Sequence, residues 1–189
     1  RSFALKNAAS LSNYVDAGYD ILYSCTSCGL CLLHDYQRIL DVPQAKKIAE
    51  RTFDLHEYLL RLINDGDIEP AFTEVRRALA YHIPCHLRAL KIGYPAVKLL
   101  ERIPGLSCAV LDDSCCGLSG SYGFKKSNEA TAMELGRRAV YRISKTGAEA
   151  IVADCGSCRM QLGALSELEA FDPVEILCES LNICAPKTG

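Results

Sequence analysis

"AEAIVADCGSCRMQL", residues 148–162, passes from an apolar run through C-x-S-C into a second apolar-patterned segment. The first part reads as a buried strand and the last as the start of a helix. The same order occurs earlier in "YDILYSCTSCGLCL", residues 19–32, so the chain carries an internal repeat. Each copy is followed by a helix that opens D-x-x-E, "DLHEYLLRLI" from Asp54 and "DPVEILCESL" from Asp172. That opening is a variant of the capping box.

Further strands and helices alternate between the two copies. "RRALAYHI" (76–83) and "LSCAVL" (106–111) read as strands. "YPAVKLLERIPG" (94–105) reads as a helix with Pro95 in its first turn. Ala96, Leu99, Leu100 and Ile103 form one face, and Pro104-Gly105 stop it. "SNEATAMELGRRAVYRISKTG" (127–147) reads as another, with Ser127 as N-cap and Ala130, Met133, Val140 and Ile143 on one side. The expected fold class is therefore α/β, with parallel strands alternating with helices. Cys85, Cys115-Cys116 and Cys155 each follow a strand, so the cysteines fall on loops at the strands' carboxyl ends, where open α/β sheets build their sites. Residues 1–66 read as the closing half of one unit and 74–189 as a complete second unit.

Bulk properties narrow the function classes. The chain has 189 residues, a formal charge of -2 and mixed signs along its length, which gives no electrostatic footprint for nucleic acid. No apolar run reaches the roughly 20 residues that span a bilayer, and no secretory signal is apparent before the fold. The outlying quantity is cysteine, eleven in all. An odd number, dominated by two C-x-x-C pairs and one C-C pair, is wrong for a disulfide scaffold and points to metal or redox chemistry.

Cys85, Cys115, Cys116, Cys155 and Cys158 place five thiolates on the loops of three successive strands. Tetrahedral zinc takes four ligands, usually as two knuckles, so five sulfurs in this pattern suit several irons bridged by sulfide. In "LDDSCCGLSGSYGF" (111–124) the adjacent cysteines reach one centre only if the backbone turns sharply, which Gly117 eases. Gly117 and Gly120 also let main-chain N–H groups approach the sulfurs. With Gly123 they make G-x-x-G-x-x-G, which is not a dinucleotide fingerprint.

C-x(n)-C-C-G-x(n)-C-x-x-C resembles the signature of the cysteine-rich CCG domain found in heterodisulfide reductase and in the iron–sulfur subunits of glycolate and lactate oxidases. "LDDSCCGLSGSYGFKKSNEA" and "GAEAIVADCGSCRMQL" are most similar to the family of CCG-bearing subunits of anaerobic glycerol-3-phosphate dehydrogenase, and "GYDILYSCTSCGLCL" resembles the end of that family's first CCG domain. The resemblance is to the C-terminal part of such a protein, the part that follows its ferredoxin-like domain and the opening of its first CCG unit. The resemblance implies an iron–sulfur electron-transfer subunit rather than a self-contained enzyme. It would pass electrons from a flavin-containing dehydrogenase subunit, with other iron–sulfur subunits, towards quinone or a membrane anchor on the cytoplasmic side. The implied cluster is [4Fe-4S], cubane or non-cubane, on Cys85, Cys115, Cys116, Cys155 and Cys158, with Cys25 and Cys28 as half of a second site. Two alternatives stand beside it, a heterodisulfide-reductase-like thiol redox subunit and a zinc-binding scaffold.

Other residues have blander readings beside functional ones. Cys31 adds a third sulfur at C-x-x-C-x-x-C spacing or faces a helix's buried side. Cys108 lies within an apolar strand as a core residue, and Cys178 and Cys184 read as packing thiols. His82 and His86 flank Cys85, with a surface or hydrogen-bonding role expected; His86 is the candidate donor to a cluster sulfur. Lys125, with Lys126, is either a solvated helix entrance or a cation offsetting cluster charge.

Overall fold

The structure is a computed structural model, and it describes residues 1–183; Cys184 lies outside them. Two parallel sheets organise the chain. β1 (Ile21–Tyr23) pairs with β2 (Thr52–Asp54), Ile21 facing Thr52 and Tyr23 facing Asp54. The larger sheet contains β3 (Arg77–His82), β4 (Leu106–Leu111), β5 (Ala150–Val152) and β6 (Ala170–Phe171) in the order β4-β3-β5-β6. Every pairing in both sheets is parallel.

The helices are α1 (Ser2–Asp16), α2 (Thr26–Leu30), α3 (Tyr36–Ile39), α4 (Pro43–Glu50), α5 (Leu55–Asp65), α6 (Cys85–Leu90), α7 (Pro95–Leu100), α8 (Glu129–Ile143), α9 (Gly156–Leu165) and α10 (Pro173–Ser180). Strand alternation sorts the larger sheet's side chains to two faces. Leu79, Tyr81, Ala150 and Val152 pack on one side with Leu99, Leu100 and Ile176. Ala80, Ile151 and Ala153 face the other, with Ala139, Ile143 and Leu162 and with Cys116, Cys155 and Cys158. The sheet is therefore covered on both faces, which is why its strands read as continuous apolar runs.

The repeat in sequence is a repeat in structure. β1–α2 and β5–α9 are the two C-x-S-C turns, and each is followed by a short parallel strand and a capped helix. Asp54 accepts from the N–H groups of His56 and Glu57 at 2.9 and 3.1 Å. Asp172 accepts from Val174 N–H at 3.1 Å, and Glu175 accepts from Asp172 N–H at 2.8 Å, so only the second helix closes the reciprocal box. The preceding helices match too: α1 buries Ala4, Ala8 and Val15, and α8 buries Ala132, Gly136 and Ile143 at the same spacing.

Two expectations for α8 need correction. Ser127 is not its N-cap: a 3₁₀ turn at Lys126–Asn128 precedes Glu129, and Ser127 Oγ donates to Asn128 Oδ1 instead. The buried stripe is Ala132, Gly136, Ala139 and Ile143, while Ala130 is exposed and Met133 and Val140 are half-buried. Small residues occupy that stripe because the Cys115-Cys116 turn lies on it. A Cβ on Gly136 would stand 3.1 Å from the Cys116 carbonyl oxygen.

Candidate metal centre

The carboxyl ends of the strands deliver the cysteines. Cys25 and Cys155 are the N-cap residues of α2 and α9, both extended (φ -115°, ψ 118° and φ -130°, ψ 117°). Cys158 sits in the first turn of α9, and Cys85 opens α6 directly after β3 and Pro84. The Cys115-Cys116 pair lies on the connection from β4 to α8. Several side chains tether that connection. Tyr94 Oη donates to Asp112, and Arg142 to Asp113. Arg88 Nη2 donates to the Ser114 carbonyl at 3.0 Å, and Ser114 Oγ lies 3.4 Å from His82 Nδ1.

These placements bring six sulfurs into a continuous strip. Cys85 contacts Cys115, Cys115 contacts Cys116, and Cys116 lies 3.3 Å from Cys158. Cys158 contacts Cys155, and Cys155 contacts Cys25 across the junction of the two sheets. Cys116, Cys155 and Cys158 are buried, while Cys25, Cys85 and Cys115 are half-buried, so both ends of the strip approach solvent. Among the described residues no three Cys, His, Asp or Glu donors are grouped around a single-ion position. A strip of sulfurs suits a centre with several metal atoms better than one tetrahedral ion.

Cys115 and Cys155 are the acceptors of the strip and the other four sulfurs its donors, Cys116 giving to Cys115. The Cys115 thiol is lowered to about 2 because Cys116 and Cys85 donate to it, with Gly117 N–H adding a bond at 3.3 Å. Cys155 is driven far below the usual thiol range by Cys158 and Cys25, then by His86 and Ser27. Cys25, Cys85 and Cys158 are raised because each donates to a neighbouring sulfur, to Cys155, Cys115 and Cys116 respectively. Cys115 and Cys155 are thus the sulfurs shifted towards thiolate, the form that binds metal.

Backbone groups complete the setting. Gly117 turns the chain at φ 94°, and a Cβ there would stand 2.1 Å from the Ala132 carbonyl oxygen. Leu118 N–H donates to Cys116 and Gly156 N–H to Cys25. Beneath the two C-x-S-C turns lies a buried polar floor. Tyr81 Oη donates to Asp154 Oδ1, and Thr26 N–H donates to the Asp154 carbonyl at 3.0 Å. Burial raises Asp154 to about 6. Burial works against a charge on His56, yet Asp54 at 3.5 Å and the nearby Asp154 raise its pKa on balance.

Most of the sequence-derived residues converge here; Cys28, Gly120 and Lys125 do not. Cys28 does not accompany Cys25: it is exposed beside Cys31, and both line a cleft with Asn7, Leu11 and Tyr36. Cys31 is half-buried, and burial raises its thiol. Gly120 adopts φ 64° with open space around it, and Lys125 is exposed; neither touches a sulfur among the described residues. Of the surface and hydrogen-bonding roles expected for His82 the structure gives the second: it is fully buried with Nδ1 3.4 Å from Ser114 Oγ, and burial lowers it to about 4. His86 does lie at the strip, 2.7 Å from Ser27 Oγ and within hydrogen-bonding reach of Cys155. Cys108 lies on β4 away from the strip, and burial raises its thiol to about 11.

Sequence reasoning missed Ser27 and Asp154. Each had a signal: the same serine recurs in both C-x-S-C turns, and Asp154 is a lone carboxylate between an apolar strand and a cysteine.

The arrangement of a lone cysteine, a C-C-G turn and a C-x-x-C turn on successive parallel strands has a counterpart in known proteins: residues 79–163 match the family model described as "CCG: Cysteine-rich domain". Residues 79–163 are a CCG cysteine-rich domain. Relatives extend beyond that CCG domain. One of the subunits of anaerobic glycerol-3-phosphate dehydrogenase from Escherichia coli K12 is 30% identical over 182 residues, covering 96% of this chain and 46% of its own length. Lactate utilization protein A from Shouchella clausii is 31% identical over 84% of this chain and 66% of its own length. One of the subunits of the CoM/CoB fumarate reductase from Methanothermobacter marburgensis is 29% identical over 85% of this chain and 31% of its own length. The chain thus spans about half the length of the first of these relatives. Two of the three are named as subunits of a dehydrogenase or a reductase.

Proposed function

We propose that this chain is part of an iron–sulfur electron-transfer subunit whose CCG domain holds one cluster on Cys85, Cys115, Cys116, Cys155 and Cys158. The observation that carries this reading is the sulfur strip, five of whose members come from the three predicted loops of the CCG domain. An iron–sulfur cluster bound there would supply one-electron chemistry at a potential set by its surroundings. The chain's own groups fit that task. The tethers on residues 112–114 fix the C-C turn, N–H groups of Gly117 and Leu118 donate to its sulfurs, and Cys115 and Cys155, shifted towards thiolate, offer negative charge to iron. Half-buried Cys85 and Cys115 bring the strip close to the surface, where a partner's redox centre can approach.

On this reading residues 1–66 are the closing half of a first CCG unit and 74–189 a second one. The partner subunits are a flavin-containing dehydrogenase and further iron–sulfur proteins, with quinone or a membrane anchor as acceptor. The chain would then act on the cytoplasmic face of the membrane; among the described residues no helix is long and apolar enough to cross it. A thiol–disulfide function is the second reading, favoured by a low-pKa, half-buried Cys115 at the open end of the strip.

Substitution tests the ligand set. Cys116→Ser and Cys158→Ser are expected to lose most of the bound iron, and Cys108→Ser and Cys178→Ser to keep it. Full iron content in the first pair overturns the assignment. Turnover of a small disulfide by the reduced protein would move the reading from the first function to the second.

A further inference from the structure

Ser27 belongs to the first sheet's C-x-S-C turn, yet its Oγ lies 2.7 Å from His86 Nδ1 and 3.3 Å from Cys155 Sγ, both in the CCG domain. A hydroxyl has one hydrogen to give, and here two neighbours could take it. A cysteine that ligates metal is a thiolate with none to give. Ser27 O–H is the donor to Cys155 Sγ when His86 Nδ1 carries its hydrogen towards Ser27 Oγ; His86 itself also lies within hydrogen-bonding reach of Cys155. The turn itself is held from both sides, since Thr26 N–H donates to the Asp154 carbonyl at 3.0 Å and Gly156 N–H donates back to Cys25. The two C-x-S-C turns therefore clasp each other face to face.

We propose that Ser27 is a positioning residue for the centre held by the CCG domain: its hydroxyl, aimed by His86, donates to Cys155 and raises the potential of the cluster bound there. This rests on the iron–sulfur reading above. A donor to a ligand sulfur stabilises the more negative, reduced cluster. The first part of the chain thereby sets the redox poise of a site whose ligands lie in the second. Neither the C-C-G turn nor the spacing of the cysteines contains this contact; it exists only because the repeated turns meet.

The test uses Ser27→Ala and Ser27→Thr in the full chain, purified without oxygen, with iron content and midpoint potential as readouts. Ser27→Ala is expected to bind the same iron as the wild type with a midpoint shifted to more negative values. Ser27→Thr keeps the hydroxyl and is expected to return towards the wild-type midpoint. Equal midpoints for wild type and Ser27→Ala at equal iron content overturn the proposal. If Ser27→Ala binds no iron, the threonine variant decides: restored iron and midpoint support the proposal, and failure of both overturns it. A wild-type protein without iron defeats the iron–sulfur reading itself, and is distinguished from the other outcomes before any variant is made.

Discussion

Gly117→Ala is the sharpest test of how the C-C turn is built, with Gly120→Ala as its internal comparison. Both glycines have positive φ, 94° and 64°, so an L side chain is strained at either position. That strain costs about 1–2 kcal/mol. Their surroundings differ. A Cβ at Gly120 meets nothing within 4 Å, whereas at Gly117 it would lie 2.1 Å from the Ala132 carbonyl oxygen and 2.9 Å from its carbon. Those are backbone atoms of α8, which cannot rotate away, so the turn and the helix must separate by about 1 Å. Overpacking of this kind adds roughly 1–3 kcal/mol. Gly117→Ala should therefore lose about 2–5 kcal/mol of stability and Gly120→Ala about 1–2 kcal/mol. With a urea slope of about 2 kcal/mol/M, the midpoints fall by roughly 1–2.5 M and 0.5–1 M respectively. Urea unfolding of the metal-free proteins, followed by circular dichroism, reads both. Iron binding should fall with Gly117→Ala, because separation from α8 also misplaces the N–H that donates to Cys115. Equal losses for the two variants would refute the close seating of the turn on α8.

Two further outcomes follow from burial and capping. Asp172→Ala removes the acceptor for Val174 N–H and the reciprocal box with Glu175, and is expected to cost about 1–2 kcal/mol in the same unfolding assay; an unchanged midpoint would contradict the cap. His82 is neutral in the fold with a pKa near 4, below its ordinary 6.5, so the unfolded chain binds more protons between those values. Acidification from pH 6.5 to 4 should therefore remove about 3 kcal/mol that His82→Phe does not lose. A pH slope identical in the wild type and that variant would show that His82 is not buried as a neutral base.

Much of the fold is legible in the sequence because its signals are local. Apolar runs of strand length, a cysteine directly after each, and the repeated C-x-S-C are enough to anticipate a parallel α/β sheet and its site edge. β2 and β6 leave no such signal, because two or three residues before a helix cap carry no period of their own. The buried face of α8 differs from its hydropathy pattern for another reason. Hydropathy ranks Met and Val above Ala and Gly, but the helix must accept a backbone turn, and close approach selects small side chains. His82 leaves two readings in the sequence, surface or hydrogen-bonding, and its place among the four buried residues that end β3 selects the second. Ser27 and the departure of Cys28 from Cys25 are long-range facts. Whether a turn's second cysteine stays with its first depends on which other turn it meets, and a single sequence does not contain that.

The central claim is that the sulfur strip holds iron bridged by sulfide. Iron, zinc and acid-labile sulfide per chain, determined together with the visible spectrum of protein purified without oxygen, test it most directly. About four irons with a similar amount of sulfide, and a broad visible absorption that bleaches on reduction, are the predicted result. Colourless protein containing stoichiometric zinc and no sulfide would contradict it.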